Sequence, residues 1–427
     1  MNSTPTACTL VLQPDALLIP AAGGERLLRL VLRAPLLPRQ NKRAPLSVGL
    51  IIDRSGSMGG SKLAHACAAV LQALARLDEH DRIAVLAYDT EVRLIQPASP
   101  VDAACREQTE RALKNLAEGG STDLGLGWLT GCAEADKGRG ERLGRCLLLT
   151  DGLANAGIVD PVVLAGHATA LRQRGMVTST FGIGDDFDEA LLGAIAEAGG
   201  GGFHDIAQGE GISAAIQREL GDALEVVATG VGLRLRLPPG ALIEVLAPYA
   251  VSYGSEGPVV ALPDLVSGQE LSFSLRLAQT AMPVGTALPF TVTAVSAKGP
   301  LAEAVVTFKA DEASACARQE LDREVLIAAA QAMSAQALRQ ATRANQDCDY
   351  QGASERLGST SHRITTMAAE TGVAELATLA GELAREQVMY AAPMKGRTRK
   401  DRYFKSTNHI MSRSEKGQSL RVPPTDK

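Results

Sequence analysis

The stretch L-S-V-G-L-I-I (46–52) constrains the fold more than any other part of the chain, being almost wholly apolar with no alternation. A strand with one wet face alternates polar and apolar positions, so a continuous apolar run belongs to a strand covered on both faces. Beyond it, Leu63, Cys67, Val70, Leu71, Leu74 and Leu77 recur at the spacing of an amphipathic helix. The same rhythm continues through R-I-A-V-L-A-Y (82–88), helical patterns around 102–116 and 123–136, and the strand C-L-L-L-T (146–150). It ends with a helix at 161–174, M-V-T-S-T-F-G-I-G (176–184), a helix at 188–198, a short strand near 202–207 and a helix at 211–224. Such alternation predicts an α/β fold: a doubly wound, mostly parallel sheet with helices on both faces.

The flanks follow different periods. C-T-L-V-L-Q and E-R-L-L-R-L-V-L-R-A, separated by the turn at 20–24, read as two strands. After Val226, L-R-L-R-L (233–237), L-S-F-S-L-R-L (271–277), P-F-T-V-T-A-V (289–295) and A-V-V-T-F-K (304–309) alternate with period two between Gly and Pro turns, as an antiparallel sandwich does. The N-terminal strands need partners and this sandwich is the economical place for them. The α/β domain is therefore expected as an insertion in a discontinuous β domain. The expected boundaries are 1–44 for the N-terminal strands, 45–225 for the α/β domain, 226–311 for the sandwich, 312–392 for two or three helices, with Gly352 marking a break, and 393–427 for a flexible basic tail.

Charge and composition exclude several functions. The formal charge of −5 over 427 residues rules out a globally basic nucleic-acid binder, and 3% aromatics leave no stacking platform for single strands. Seven cysteines, odd in number and without a C-x-x-C pair, suggest neither a disulfide framework nor a zinc site. No secretory pattern and no apolar run of membrane-spanning length is visible, so a cytoplasmic protein is expected.

Chemistry concentrates where the strands end. The run 46–52 leads directly into Asp53-Arg54-Ser55-Gly56-Ser57-Met58, and the strand 146–150 into Asp151-Gly152. In open α/β sheets ligands sit outside the carboxyl ends of strands. A third loop, Gly119-Gly120-Ser121-Thr122-Asp123, adds another hydroxyl. Carboxylates with hydroxyls form a hard oxygen donor set suited to Mg²⁺ or Ca²⁺, with Mn²⁺ also admissible. An N-cap and turn would explain D-x-S-x-S alone, but not its register with the other two loops.

These three fragments, in this order, resemble the metal-ion-dependent adhesion site of von Willebrand factor type A domains, over roughly residues 45–225. The flanking regions are similar to bacterial multi-domain members of that family. The resemblance implies that the hydroxyls of Ser55, Ser57 and Thr122 contact a divalent cation and that Asp53 and Asp151 act directly or through water. It further implies that an Asp or Glu of a partner protein fills the remaining coordination position. A non-enzymatic, cation-dependent protein-binding scaffold is the reading it favours. The alternative is a non-ATPase accessory subunit of an AAA+ assembly of the MoxR or chelatase type, since G-S-M-G-G-S-K (56–62) lacks the spacing of a phosphate-binding loop. G-L-G-W-L-T-G (125–131) lies within a helical pattern and reads as packing; Arg54 and Met58 flank the metal loop as ligand contacts or as solvent-exposed residues; Asp185-Asp186 reads as a helix cap.

The tail stands apart. Residues 395–427 hold ten Lys/Arg against three acids, a formal +7 that leaves −12 on the rest of the chain. It reads either as a solvated terminus or as a docking segment for an acidic partner or an anionic surface, with Ser406, Thr407, Ser412, Ser414 and Ser419 as modifiable hydroxyls. Nucleic acid is not expected on the folded body. Glu415 of the tail, in cis or from a neighbouring molecule, is a further candidate for completing the metal site, the second case being self-association.

Overall fold

In a computed structural model of the chain, residues 7–37, 43–411 and 421–422 are described. The chain divides into two compact units, one from 1–36 with 228–416, the other from 37–227 with 417–427.

The chain opens with β1 (Thr9–Pro14), β2 (Leu18–Pro20) and β3 (Gly24–Arg33). The second unit then follows as β4 (Leu46–Asp53), α1 (Ser61–Arg76), β5 (Arg82–Tyr88), β6 (Val92–Pro100), α2 (Ala103–Lys114), α3 (Leu124–Asp136) and β7 (Leu143–Thr150). It continues with α4 (Pro161–Gln173), β8 (Met176–Ile183), α5 (Glu189–Gly199), β9 (Gly200–Ile206) and α6 (Ile212–Leu224). Its strands lie in the order β9-β8-β7-β4-β5-β6, all parallel except β6, which runs antiparallel to β5. A seventh, two-residue strand from the C-terminal end (Arg421–Val422) pairs with the edge of β9.

Every residue of β4 is buried, which explains its unbroken apolar run. Val48, Leu50 and Ile52 pack with α1 and α6 in one core. Gly49 and Ile51 face α3, where a Cβ added at Gly131 would come within 2.4 Å of Ile51 and one at Gly127 within 2.3 Å of the Tyr88 ring. Gly127 and Gly131 of G-L-G-W-L-T-G therefore let a helix lie close on the sheet, the packing role read from the sequence. Trp128, on the same helix, is buried and donates its indole N–H to Thr178 Oγ1 at 3.3 Å. Strand β6 was not foreseen, because Pro97 and Pro100 and its exposed residues disguise an edge strand.

A polar cluster is buried between β8, β9 and α6. Ser179 Oγ donates to Glu219 Oε1 at 2.5 Å, His204 Nε2 lies 3.0 Å from Glu219 Oε2, and the His204 ring stacks on Phe181 at 4.6 Å. Burial raises the Glu219 pKa, but the His204 hydrogen bond and charge, Ser179 and the Arg145 charge together bring it down to about 2.

The other unit returns through β10 (Val226–Ala228), β11 (Gly232–Arg236), β12 (Ala241–Leu246), β13 (Val251–Gly254), β14 (Gly257–Ala261), β15 (Leu265–Val266), β16 (Glu270–Gln279), β17 (Ala287–Ser296) and β18 (Gly299–Asp311). One antiparallel sheet has the order β1-β3-β16-β12, and a second sheet β13-β14-β11-β17-β18-β2. The N-terminal strands thus join those that follow the α/β unit. In β11, Leu233 and Leu235 are buried while Arg234 and Arg236 are exposed, the alternation the sequence shows. Helices follow: α7 (Ala313–Cys316), α8 (Arg323–Gln346), α9 (Tyr350–Thr371), α10 (Ala374–Tyr390) and α11 (Gly396–Met411). The α8–α9 break lies at 347–349, where Cys348 has φ +62°, rather than at Gly352, whose N–H caps onto Asp349 Oδ1 at 2.9 Å inside the first turn of α9.

Helix α11 corrects the expectation of a flexible tail over its own length. Lys400, Tyr403, Phe404 and Thr407 recur at i, i+3, i+4 and i+7 and are buried, and α11 packs on α8. Arg402 reaches both oxygens of Glu386, at 3.0 and 3.1 Å, and Arg339 lies over the Tyr403 ring at 5.5 Å. A high density of charge masked this stripe in the sequence. Ser406 and Thr407 are buried and so are not open hydroxyls. Ser412, Ser414, Glu415 and Ser419 lie outside the described residues. Among the described residues no helix is long and apolar enough to cross a membrane.

Candidate metal centre

Strands β4 and β7 are neighbours, and the chain runs from β4 on to β5 and from β7 on to β8, in opposite directions across the sheet. This reversal opens a crevice at the carboxyl ends of β4 and β7. Asp53 is the last residue of β4, and Asp151 follows Thr150, the last residue of β7; both are buried.

Asp53 holds the framework. Its Oδ1 accepts the Ser55 N–H at 2.8 Å and its Oδ2 the Thr150 hydroxyl at 2.6 Å, which sets the turn of the loop that follows. Burial pushes the Asp53 carboxyl up, against the pull of these hydrogen bonds, and the nearby Asp151 charge adds to the rise. A short 3-10 turn, Gly56–Met58, then leads into α1. Ser55 is buried and Ser57 exposed, with their hydroxyl oxygens 3.2 Å apart. Ser57 Oγ donates to Asp151 Oδ1 at 2.7 Å.

Thr122 reaches the same place from the third loop. A Cβ added at Gly152 would lie 3.4 Å from Ser57 Oγ and 3.6 Å from Thr122 Oγ1. Gly152 thus lies in contact range of both hydroxyls, and the three loops converge beside it. Thr122 is fixed from behind, its N–H donating to Asn155 Oδ1 at 2.9 Å and its carbonyl accepting from the N–H groups of Asn155 and Ala156. The loop before it is tied down by Asp89, which accepts the Gly120 N–H and pairs with Arg54 at 2.8 Å.

All five residues singled out in the sequence therefore meet at this edge. Their oxygens form the hard, hydroxyl-rich set that a divalent cation of the Mg²⁺ or Ca²⁺ type takes. Two flanking expectations are corrected: Arg54 is committed to Asp89, and Met58 is buried in the core. Asp185 and Asp186 do not cap α5; Asp188 does, accepting from Ala190 and Leu191. Sequence reasoning missed Lys62, whose ammonium pairs with Asp151 Oδ2 and lies 3.3 Å from the Ser57 carbonyl. Its signal was a lysine in the first turn of α1, where the helix dipole disfavours a cation. Thr150 and Asn155 were also missed; each holds one of the five in place.

Residues 47–213 match the family model of the von Willebrand factor type A domain. The chain carries a type A domain. Domains of this family are commonly metal-dependent protein-interaction modules. Two solved structures share the fold well beyond the type A domain: a von Willebrand factor type A protein from Catenulispora acidiphila (TM-score 0.67, 20% identity, 92% of this chain and 99% of that one) and the ArnB paralog VWA2 from Sulfolobus acidocaldarius (TM-score 0.61, 15% identity, 95% and 98%). By sequence the chain is 29% identical over 282 residues to the uncharacterized protein sll0103 of Synechocystis, and 29% over 234 residues to the uncharacterized protein YfbK of Escherichia coli. These alignments cover 63% and 53% of this chain, and span 65% and 40% of the lengths of those relatives.

Proposed function

We propose that the type A domain is a cation-dependent protein-binding module without catalytic activity. Asp53, Ser55, Ser57, Thr122 and Asp151 hold one divalent ion, Mg²⁺ in the first instance, with Ca²⁺ and Mn²⁺ compatible with the same oxygens. The acidic side chain of a partner protein completes the coordination. The observation that carries this reading is the closure of Ser57, Asp151 and Thr122 around Gly152 at the reversal of the sheet. An ion there supplies positive charge next to two buried carboxylates and a point of attachment for a third. Lys62 already supplies one positive charge to Asp151, so an ion-loaded site attracts an anion rather than merely reaching neutrality.

Calorimetric titration of Mg²⁺ into the full chain tests the assignment. Wild type shows saturable binding, and Asp53→Ala and Thr122→Ala lose it while keeping their far-UV circular dichroism. Equal binding by wild type and both folded variants removes the site.

A further inference from the structure

The surface beside the metal loop is unusually apolar for this unit. Its exposed large apolar side chains include Leu126, Leu153, Ile158, Val159, Val162 and Val163; only two others of the unit, Leu37 and Leu94, are exposed among the described residues. Val162 is 72% and Leu153 55% exposed. These six are gathered by the local fold. Leu126 lies in the first turn of α3, its N–H donating to Asp123 Oδ1, and Val162 and Val163 lie in the first turn of α4, capped by Asp160. Between them the loop 152–160 folds back over Thr122 and Asp123: Asn155 holds Thr122, and a Cβ at Gly157 would meet the Asp123 carboxylate at 2.4 Å. A Cβ at Gly125 would touch Ile158 at 3.3 Å, which places the loop tip against α3. Leu153 is two residues from Asp151, so no more than about 7 Å of backbone separates the apolar surface from the oxygen cluster.

A cluster of exposed aliphatic side chains gathered on neighbouring elements marks an interaction site. Resting on the cation-dependent reading above, we infer that this patch selects the partner: the segment captured at the metal carries one Asp or Glu with bulky aliphatic residues beside it. Charge supports that occupant. Residues 152–159 contain no charged side chain, and the carboxylates of Asp123 and Asp160 beside them are engaged in helix caps. The carboxylate is met instead by the ion, next to the Lys62–Asp151 pair. A uniformly acidic or basic segment would leave its flanking charges against apolar surface.

Two fluorescein-labelled decapeptides test this by anisotropy against the full chain, each with one central aspartate, flanked in one by leucine and valine and in the other by serine and glycine. In Mg²⁺ the aliphatic peptide binds tighter by about tenfold, and EDTA abolishes its binding. The double variant Leu153→Ser, Val162→Ser removes the preference and keeps the wild-type Mg²⁺ isotherm, because both side chains are exposed. Equal affinity of the two peptides, no binding of either in Mg²⁺, or a preference that survives in the double variant overturns the inference and leaves the metal site standing. A wild-type chain with no Mg²⁺ isotherm overturns the underlying reading instead. Sedimentation covers the remaining occupant: a wild-type dimer that becomes monomeric in the double variant, with no peptide preference, assigns the patch to a second copy of the chain and overturns the proposal.

Discussion

Two polar clusters of the α/β unit each set carboxylates against hydroxyl groups, one inside the core and one at the edge of the sheet. Around Glu219 the partners are Ser179, His204 and the charge of Arg145, and the carboxyl is held down at about 2 in spite of its burial. Around Asp53 the partners are a threonine hydroxyl, a backbone N–H and, nearby, a second carboxylate; burial and the Asp151 charge hold its carboxyl above the ordinary range. One cluster brings its own positive charge and is complete. The other gathers two carboxylates and three hydroxyls at the solvent edge of a crevice with one ammonium in attendance. Side chains of similar chemistry thus serve packing in the first place and leave a demand for charge in the second.

The contrast can be broken at its closed end first. Glu219→Ala leaves buried partners without their acceptor and is expected to cost about 3 kcal/mol in urea unfolding, with the Mg²⁺ isotherm unchanged. Its pH signature has a definite sign. A carboxyl depressed to about 2 stabilises the fold above its unfolded pKa, near 4.3, and that contribution is lost as pH falls from there through about 2. Acid denaturation of wild type should therefore be steeper across that window than for Glu219→Gln; matching slopes would show that the ion pair does not carry the difference.

At the open end the effect is conditional on metal. A hundredfold excess of Mg²⁺ over its Kd should stabilise wild type by about 2.7 kcal/mol, a gain absent in Asp53→Asn, whose stability in EDTA matches or exceeds that of wild type. A large loss of stability in EDTA would mean that Asp53 is a packing residue like Glu219. The smallest expected effect is at Lys62. Lys62→Met removes the charge competing for Asp151 and should tighten Mg²⁺ binding about tenfold by calorimetry. Weaker binding would show that Lys62 orients Asp151 rather than opposes the ion.

The legibility of the site follows the same physics. Asp53 and Asp151 could be placed from sequence because each ends an apolar strand buried on both faces, which fixes the edge on which it emerges. Thr122 has no such neighbour; its loop, 115–123, carries no period, and only the resemblance to a known motif assigned it. Lys62 and Asn155 act through one partner each and leave no pattern. In the β unit, period-two alternation exposed β11, β16 and β17, whereas the short β12 to β14, with their half-buried residues and intervening turns, offered too few positions to register. In α11 the apolar stripe is two aromatic rings and the stems of polar residues, so composition reported a charged tail where packing made a helix.

Trp128 is the sole tryptophan of the chain, and it lies buried on the helix that begins two residues after Thr122. The protein therefore carries a single optical label, in the type A domain and close to the loop that the ion would order. Its emission follows the unfolding of that domain without contribution from indole elsewhere, so the two units can be watched melting separately by comparing fluorescence with circular dichroism.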